Sequence, residues 1–97
     1  MEFDWRIECA VHPDISKQDV EESFEDPFGL KFLPEIQVYA NQTRYFSLGQ
    51  AGNGGLIFSV YRSNGKSVQI ISSRLMMEHE SLFYRRKTKQ SLEGDGR

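Results

Sequence analysis

Three segments in the second half of the chain alternate apolar and polar residues, and they constrain the fold more than any other feature. They are TRYFSLG, GLIFSVYR and SVQIISSR, at residues 43–49, 55–62 and 67–74. Alternation with a period of two is typical of a strand with one buried face. QAGNGG joins the first pair and SNGK the second, where Asn64-Gly65 suits a type I′ turn because both central residues need positive φ. The sequence therefore predicts a three-stranded antiparallel meander.

Signals for a helix precede this meander. Ser16 stands before KQDVEESFEDP, and Asp19, three residues on, supplies the acid of a capping box. Val20 and Phe24 then fall on one face, with glutamates on the other. A residue before proline is pushed out of the helical region. We therefore expect a helix that begins after Ser16 and ends before Pro27.

A second helix is predicted after the meander. LMMEHESLFYRRK places Leu75, His79, Leu82 and Arg86 on one stripe, which indicates a helix that packs across the sheet. The apolar content is then lost in TKQSLEGDGR, and we expect a disordered tail over residues 89–97.

Two weaker segments complete the predicted fold. EFDWRIE alternates as a short strand or extended anchor does, and IQVYA, at residues 36–40, is a candidate short strand. The whole predicts a single α+β domain over residues 1–88. Its small antiparallel sheet is the three-stranded meander with possible extra short strands, and one N-terminal and one C-terminal helix flank it.

Charge is unevenly distributed along the chain. The formal net charge is −2, yet residues 1–35 hold ten acids and three bases, and residues 36–97 hold four acids and nine bases. The basic remainder keeps nucleic acid among the candidate partners. No apolar run approaches the roughly 20 residues of a membrane-spanning helix, and the acidic N-terminus is no signal peptide. With a single cysteine, Cys9, we expect a cytoplasmic protein that has no membrane contact.

Motifs for nucleotide, metal or nucleophile chemistry are absent from the sequence. It has no Walker loop, CxxC pair, HExxH or Gly-x-Ser-x-Gly, and His12 and His79 are too far apart to give a metal spacing. QAGNGG is glycine-rich but precedes a strand instead of a helix, so a phosphate cradle is not expected. No metal and no cofactor are predicted.

The remaining polar groups gather on the predicted sheet and final helix. Metal-free RNA cleavage requires activation of a 2′-hydroxyl, stabilisation of charge at phosphorus, and protonation of the leaving oxygen. Strand arginines and lysines can meet the second need, and Glu80 or a tyrosine the others. Structurally, however, Glu80 can simply pair with Arg74 or a neighbouring base, and the basic run can be a solvated helix end. The polar groups are Arg44, Tyr61, Arg62, Lys66, Arg74, Glu80, Tyr84, Arg85, Arg86, Lys87 and Lys89.

The spacing of these residues resembles the BrnT family of ribonuclease toxins. Members open with Phe-x-Trp, carry a His segment that leads into a helix ending Phe-x-Asp-Pro, and continue with Ile-Ile-Ser-Ala-Arg and a final helix bearing Glu and Tyr. The similarity extends to about Lys87 and is most specific in the C-terminal half. The matching residues are Phe3, Trp5, His12, Ile15, Ser16, FEDP at 24–27, Arg44, Gly49, IISSR at 70–74, Glu80 and Tyr84.

The resemblance implies a RelE-like fold and the toxin of a type II toxin–antitoxin module, a metal-independent endoribonuclease that cleaves mRNA and arrests growth. A BrnA-like antitoxin is the implied partner, and operator DNA is bound only through the antitoxin complex. Arg44 and Arg74 are then the groups that bind or stabilise the phosphate, with Glu80 and Tyr84 for acid–base or positioning roles. Further RNA contacts are expected from Arg62, Lys66, Arg85, Arg86 and Lys87.

Departures from the family pattern keep an alternative open. Only six residues separate Trp5 from His12, so the family's first helix and its lysines are cut down. Asn64 stands at the second hairpin where an arginine is common, and Gln69 precedes IIS where an arginine is frequent. A catalytically degenerate relative that binds protein or RNA without cleaving is the second hypothesis. An unrelated structural domain is the third.

Overall fold

The computed structural model of the chain describes residues 2–5, 9–32, 38–39, 42–63 and 66–94. Both predicted helices and the α+β class are confirmed, and the sheet is larger than the predicted meander. In chain order the elements are β1 (Glu2–Phe3), β2 (Ala10–Val11), α1 (Lys17–Glu25), β3 (Leu30–Phe32), β4 (Val38–Tyr39), β5 (Gln42–Thr43), β6 (Tyr45–Gln50), β7 (Leu56–Ser63), β8 (Ser67–Leu75) and α2 (Glu78–Gly94).

The meander is formed by β6, β7 and β8, which pair antiparallel as predicted. Additional short strands extend it on both sides. β3 pairs antiparallel with β6, while β1 and β2 both run parallel to β8 on the other edge. The main sheet is therefore mixed instead of purely antiparallel. β4, inside the predicted IQVYA strand, pairs with β5 in a separate two-stranded sheet, and the predicted Asn64-Gly65 turn lies outside the described residues.

Helix α1 begins at the predicted capping box. The Ser16 hydroxyl accepts the Asp19 N–H at 3.1 Å, and the Asp19 carboxylate accepts the Ser16 N–H at 2.9 Å. Two orphan amide groups of the first turn are thus satisfied reciprocally. The helix buries Val20 and Phe24 against one face of the sheet, where they form the core with Tyr61 and other apolar side chains.

An aromatic cluster ties the first strand to this core. The Phe3 ring meets Phe24 edge-on at 5.2 Å, and Phe24 meets Tyr61 in the same way at 4.9 Å. Trp5 stacks beside Phe3 and donates its indole N–H to Glu21 of α1 at 2.6 Å. The Phe-x-Trp segment is therefore a packing element that fastens the N-terminal edge of the sheet to α1.

Strand alternation places the two helices on opposite faces of the sheet. Ser47 and Gly49 of β6 face α1. Gly49 lies so close to the helix that a Cβ built on it would be 2.0 Å from the Ser23 carbonyl oxygen. Leu48 and Phe58 point the other way, and they line a groove together with side chains of α2.

The turn after α1 links both helices to the sheet through one carboxylate. Asp26 caps the helix, its carbonyl accepts the Gly29 N–H at 2.9 Å, and its Oδ1 accepts the Phe28 N–H at 2.9 Å. Its Oδ2 accepts the Gln50 N–H at 2.8 Å and also the Tyr84 hydroxyl of α2. The aspartate of the FEDP segment thus joins α1, the end of β6 and α2.

Helix α2 turns its predicted stripe toward the sheet, since His79, Leu82 and Arg86 line a groove there, but it differs in extent and in the side chain that it buries. Tyr84 is buried, at 4% exposure, whereas Leu82 of the predicted stripe is 55% exposed. The helix continues to Gly94, across most of the segment where a disordered tail is expected, and residues 95–97 lie outside the described part of the chain. Among the residues that the structure describes, no helix is both long and apolar enough to span a membrane.

Candidate functional site

Arg74, at the end of β8, is held in a fixed position by three contacts. Its Nη1 and Nη2 donate to the two carboxylate oxygens of Glu80 at 2.8 and 3.0 Å, a bidentate ion pair. Nη1 also donates to the Leu75 carbonyl at 3.1 Å, and the guanidinium lies 4.3 Å from the centre of the Phe58 ring. The side chain is still 35% exposed. Arg74 is therefore an ordered cation that solvent and ligands can reach.

Glu80 is committed to two structural tasks. As the third residue of α2 it accepts the Met77 N–H at 2.8 Å, half of a capping box, while it pairs with Arg74. Burial alone would raise the pKa of this carboxyl, but the hydrogen bonds from Arg74 and Met77 outweigh burial and lower the pKa below its ordinary value. An ionised carboxylate with its oxygens occupied is suited to orienting Arg74, and poorly suited to taking up a proton.

Tyr84 is also engaged in structural contacts. Its hydroxyl donates to Asp26, and it lies buried between α2 and the sheet. Burial, followed by the hydrogen bond to Asp26 and the charge of that carboxylate, raises the pKa of Tyr84 to about 12. A phenol that binds its proton this firmly cannot serve as a general base near neutral pH.

We expect the Tyr84→Phe variant to be about 2 kcal/mol less stable than the wild type at neutral pH, because it loses a buried hydrogen bond to a carboxylate. The pKa is higher in the folded protein than the ordinary 10.0, so this stabilisation is complete below about pH 10 and is lost as the pH rises toward 12. The stability difference between the two proteins should close over that range. Urea unfolding at several pH values measures it, and a difference that stays constant up to pH 12 would contradict the assignment.

Arg44 does not join this group. It lies just before β6, at the end of the sheet where β7 finishes and β8 begins, as do Arg62 and Lys66. In the strand register Arg74 lies opposite Phe58 of β7, and Phe58 lies opposite Leu48 of β6. Leu48 is four residues beyond Arg44 along the chain. Four strand residues correspond to about 13 Å. The predicted phosphate-binding pair is therefore split between opposite ends of the sheet.

The side chain that the structure does place beside Arg74 is His12, which the sequence matched to the family pattern without assigning it a catalytic role. β2 pairs in parallel with β8, and the His12 N–H donates to the Ser73 carbonyl at 2.9 Å. His12 and Arg74 consequently line one cleft of about 360 Å³. The His12 Nδ1 accepts the Asp14 N–H at 3.1 Å, so in the neutral ring the proton resides on Nε2.

The predicted RNA-binding residues of α2 form a separate basic surface. Arg85, Arg86 and Lys87 are exposed on the helix, and the Lys87 ammonium lies 5.6 Å from the centre of the Phe83 ring. Arg86 lines the groove between α2 and the sheet. Arg85 lies at a smaller cleft beside Tyr84. These cations share the α2 face of the molecule with the Arg74–Glu80 pair.

Comparison with known proteins gives no family assignment. No protein-family model matches the chain, and no curated protein matches it significantly.

Proposed function

We propose that this protein is a BrnT-like toxin with a RelE-like fold, a metal-independent endoribonuclease whose site is the cleft between β2 and β8. One observation carries the proposal: an arginine held rigidly by Glu80 and Phe58 shares this cleft with a histidine, His12. An ordered cation beside a proton-transfer group is what metal-free phosphodiester cleavage requires.

The proposed chemistry assigns one role to each of three side chains. The 2′-hydroxyl oxygen of RNA attacks phosphorus to form a 2′,3′-cyclic phosphate and releases its proton to water. Negative charge grows on the phosphoryl oxygens, and the Arg74 guanidinium stabilises it. The bond to the 5′-oxygen breaks, and His12 in its imidazolium form, with the Asp14 carboxylate 3.7 Å from Nδ1, gives a proton to that leaving oxygen and becomes neutral. Glu80 touches no reacting atom in this scheme and acts as a positioning residue for Arg74.

The remaining parts of the proposal follow from the family resemblance. The substrate is RNA, and Arg85, Arg86 and Lys87 supply exposed cations for its backbone. The partner is a BrnA-like antitoxin in the cytoplasm, which neutralises the toxin and carries the complex to operator DNA.

A second function is favoured by the way the predicted catalytic groups are used. Glu80 and Tyr84 are engaged in capping, ion pairing and a buried hydrogen bond, and Arg44 lies at the other end of the sheet. A catalytically degenerate relative that binds a protein or RNA without cleaving it would retain all of these contacts. Toxicity of the chain on its own distinguishes the two functions.

Expression of the wild-type chain in a bacterial host is expected to arrest growth and degrade RNA, whereas Arg74→Ala should reduce cleavage about 100-fold or more, the usual cost of losing a charge-stabilising group. His12→Ala should reduce it by a similar or smaller factor through loss of proton transfer. Growth, total RNA integrity and cleavage by the purified proteins are the measurements. Circular dichroism shows whether each variant is folded.

Lys17→Ala is the matched control, because it also removes one exposed cation but lies on α1, outside the cleft and the proposed RNA-binding surface. It should retain nearly full toxicity. Arrest by a folded Arg74→Ala variant would refute the proposed site. No arrest by well-expressed, folded wild-type protein would instead establish the binding module.

A further inference from the structure

An open groove of about 560 Å³ runs between α2 and the sheet face that α1 does not cover. Its floor and walls are apolar: Phe32 comes from β3, Leu48 from β6, Phe58 from β7, and Leu82 and Phe83 from α2. Phe32 and Phe83 are in contact across it, with ring centres 6.0 Å apart. It is separate from the His12 cleft, and the Arg74–Glu80 pair lies between the two.

The groove is unusually accessible for an apolar surface. Leu82 is 55% exposed, and it is one of only three large apolar side chains with such exposure among the described residues. His79, Leu82, Phe83 and Arg86 succeed one another at helical spacing along the wall that α2 contributes. Four of the five apolar side chains that line the groove are at least partly exposed, and an accessible apolar surface with a polar rim is typical of a protein interaction site.

Cations dominate the rim. Arg86 lines the groove, and Lys87 reaches over the Phe83 ring at 5.6 Å. The carboxylate at the groove, Glu80, is neutralised by its bidentate pair with Arg74. An occupant is therefore favoured if it combines apolar side chains with carboxylates.

These features discriminate among the candidate occupants. RNA suits the cations, but the aliphatic side chains of Leu48 and Leu82 offer its phosphates and sugars no hydrogen bonds. The acidic helix α1 of a second copy suits the charge, but its apolar residues Val20 and Phe24 are 0% and 6% exposed in the core of its own chain. Only its polar side is available, and that side cannot fill an apolar groove.

We propose that the groove between α2 and the sheet binds an amphipathic helix of a partner protein. Apolar side chains of that helix enter between Leu82 and Phe58, and its flanking carboxylates meet Arg86 and Lys87. The inference rests on the proposed function only in expecting a protein partner, and it requires no ribonuclease activity. A failure of the cleavage experiment therefore leaves it intact, and the reverse also holds.

The test uses the full chain and two synthetic peptides, each about four helical turns long. Both carry leucine at i, i+3, i+4 and i+7, and their flanking residues are glutamate in one and lysine in the other. We expect the glutamate peptide to bind at least 10-fold more tightly, with an affinity that falls as salt is added. NMR shift changes in the labelled protein should map to Phe58, Leu82 and Phe83.

Leu82→Glu should weaken binding of the glutamate peptide at least 10-fold without unfolding the protein, because the side chain is already exposed. Met77→Glu is the matched control. Met77 is 54% exposed and lies outside the groove, so its replacement adds the same charge and should leave binding nearly unchanged.

Four outcomes overturn the proposal. Equal affinity for both peptides, or shift changes elsewhere on the protein, would show that the groove does not select an acidic helix. Concentration-dependent self-association that Leu82→Glu abolishes would assign the groove to a second copy. Displacement of the bound glutamate peptide by a single-stranded RNA oligonucleotide, with the shift changes retained at the groove, would assign it to nucleic acid.

Discussion

The Asp26→Ala variant is expected to lose about 3 kcal/mol of its free energy of unfolding, the largest loss from any single carboxylate in the described part of the chain. Asp26 accepts hydrogen bonds from two backbone amides, those of Phe28 and Gln50, and from the Tyr84 hydroxyl. The amides can turn to water, but the Tyr84 hydroxyl is buried and would be left without its acceptor. An orphaned buried donor alone costs about 1–3 kcal/mol.

Chemical denaturation of wild type, Asp26→Ala, Tyr84→Phe and the double variant measures this contribution. Because both single changes remove the same hydrogen bond, their effects should not add, and the coupling energy should be about 1–2 kcal/mol. Asp14→Ala is the control, since that carboxylate side chain is 72% exposed, and it should change stability by no more than about 0.5 kcal/mol. Additive losses in the double variant would show that Asp26 and Tyr84 act independently.

The Gly49→Ala variant is the second large loss that we expect, about 2–3 kcal/mol. A Cβ at position 49 would lie 2.0 Å from the Ser23 carbonyl oxygen and 2.8 Å from the Ser23 carbonyl carbon. Both atoms belong to the backbone of α1, so no side-chain rotation relieves the clash, and the helix must move away from the sheet. The φ of Gly49 is outside the left-handed region, so its backbone conformation does not require glycine. Glycine is needed because the backbone of α1 lies so close to the strand.

Denaturation of Gly49→Ala beside Gly52→Ala measures the effect of that close approach. At position 52 the nearest atom is the Glu22 carboxylate oxygen, at 3.0 Å, which lies at the end of a flexible side chain. Gly52→Ala should therefore cost less than about 1 kcal/mol. Because the atoms met at position 49 are backbone, adding Ser23→Gly should not restore Gly49→Ala. Restoration by that change would show that the helix–sheet spacing is set by the serine side chain.

The parts of the fold that local chemistry specifies could be predicted from the sequence. Ser16 and Asp19 cap α1 as expected, because the capping box involves residues only three apart. The meander could likewise be predicted from strand alternation, because the alternation is a pattern among neighbouring residues. The candidate strand EFDWRIE contains β1, but β2 gave no signal, and the strand with which both pair lies more than fifty residues away along the chain. The parallel edge of the sheet was therefore missed.

The candidate site could be predicted only where it depends on residues that are close in sequence. The Arg74–Glu80 pair follows from a strand end and a helix start that are close in sequence, and it was weighed as a structural alternative. His12 is next to Arg74 only because β2 joins β8, so its place could not be inferred without that pairing. Hydrophobic spacing placed Leu82 on the stripe of α2 that faces the sheet, and Leu82 lines the groove there. The spacing could not show that Tyr84, beside this stripe, is the buried side chain, because its hydroxyl is bonded to a carboxylate 58 residues earlier.

The placement of the two helices on opposite faces of the sheet gives the molecule an electrical polarity. One outer layer carries the glutamates of α1, and the other carries the cations of residues 85–89 in α2. The sheet separates the two layers, and charges farther apart than the screening length of about 8 Å at physiological ionic strength interact only weakly. A charged molecule that approaches either side therefore senses the nearer helix and little of the other. The net charge of −2 describes neither surface.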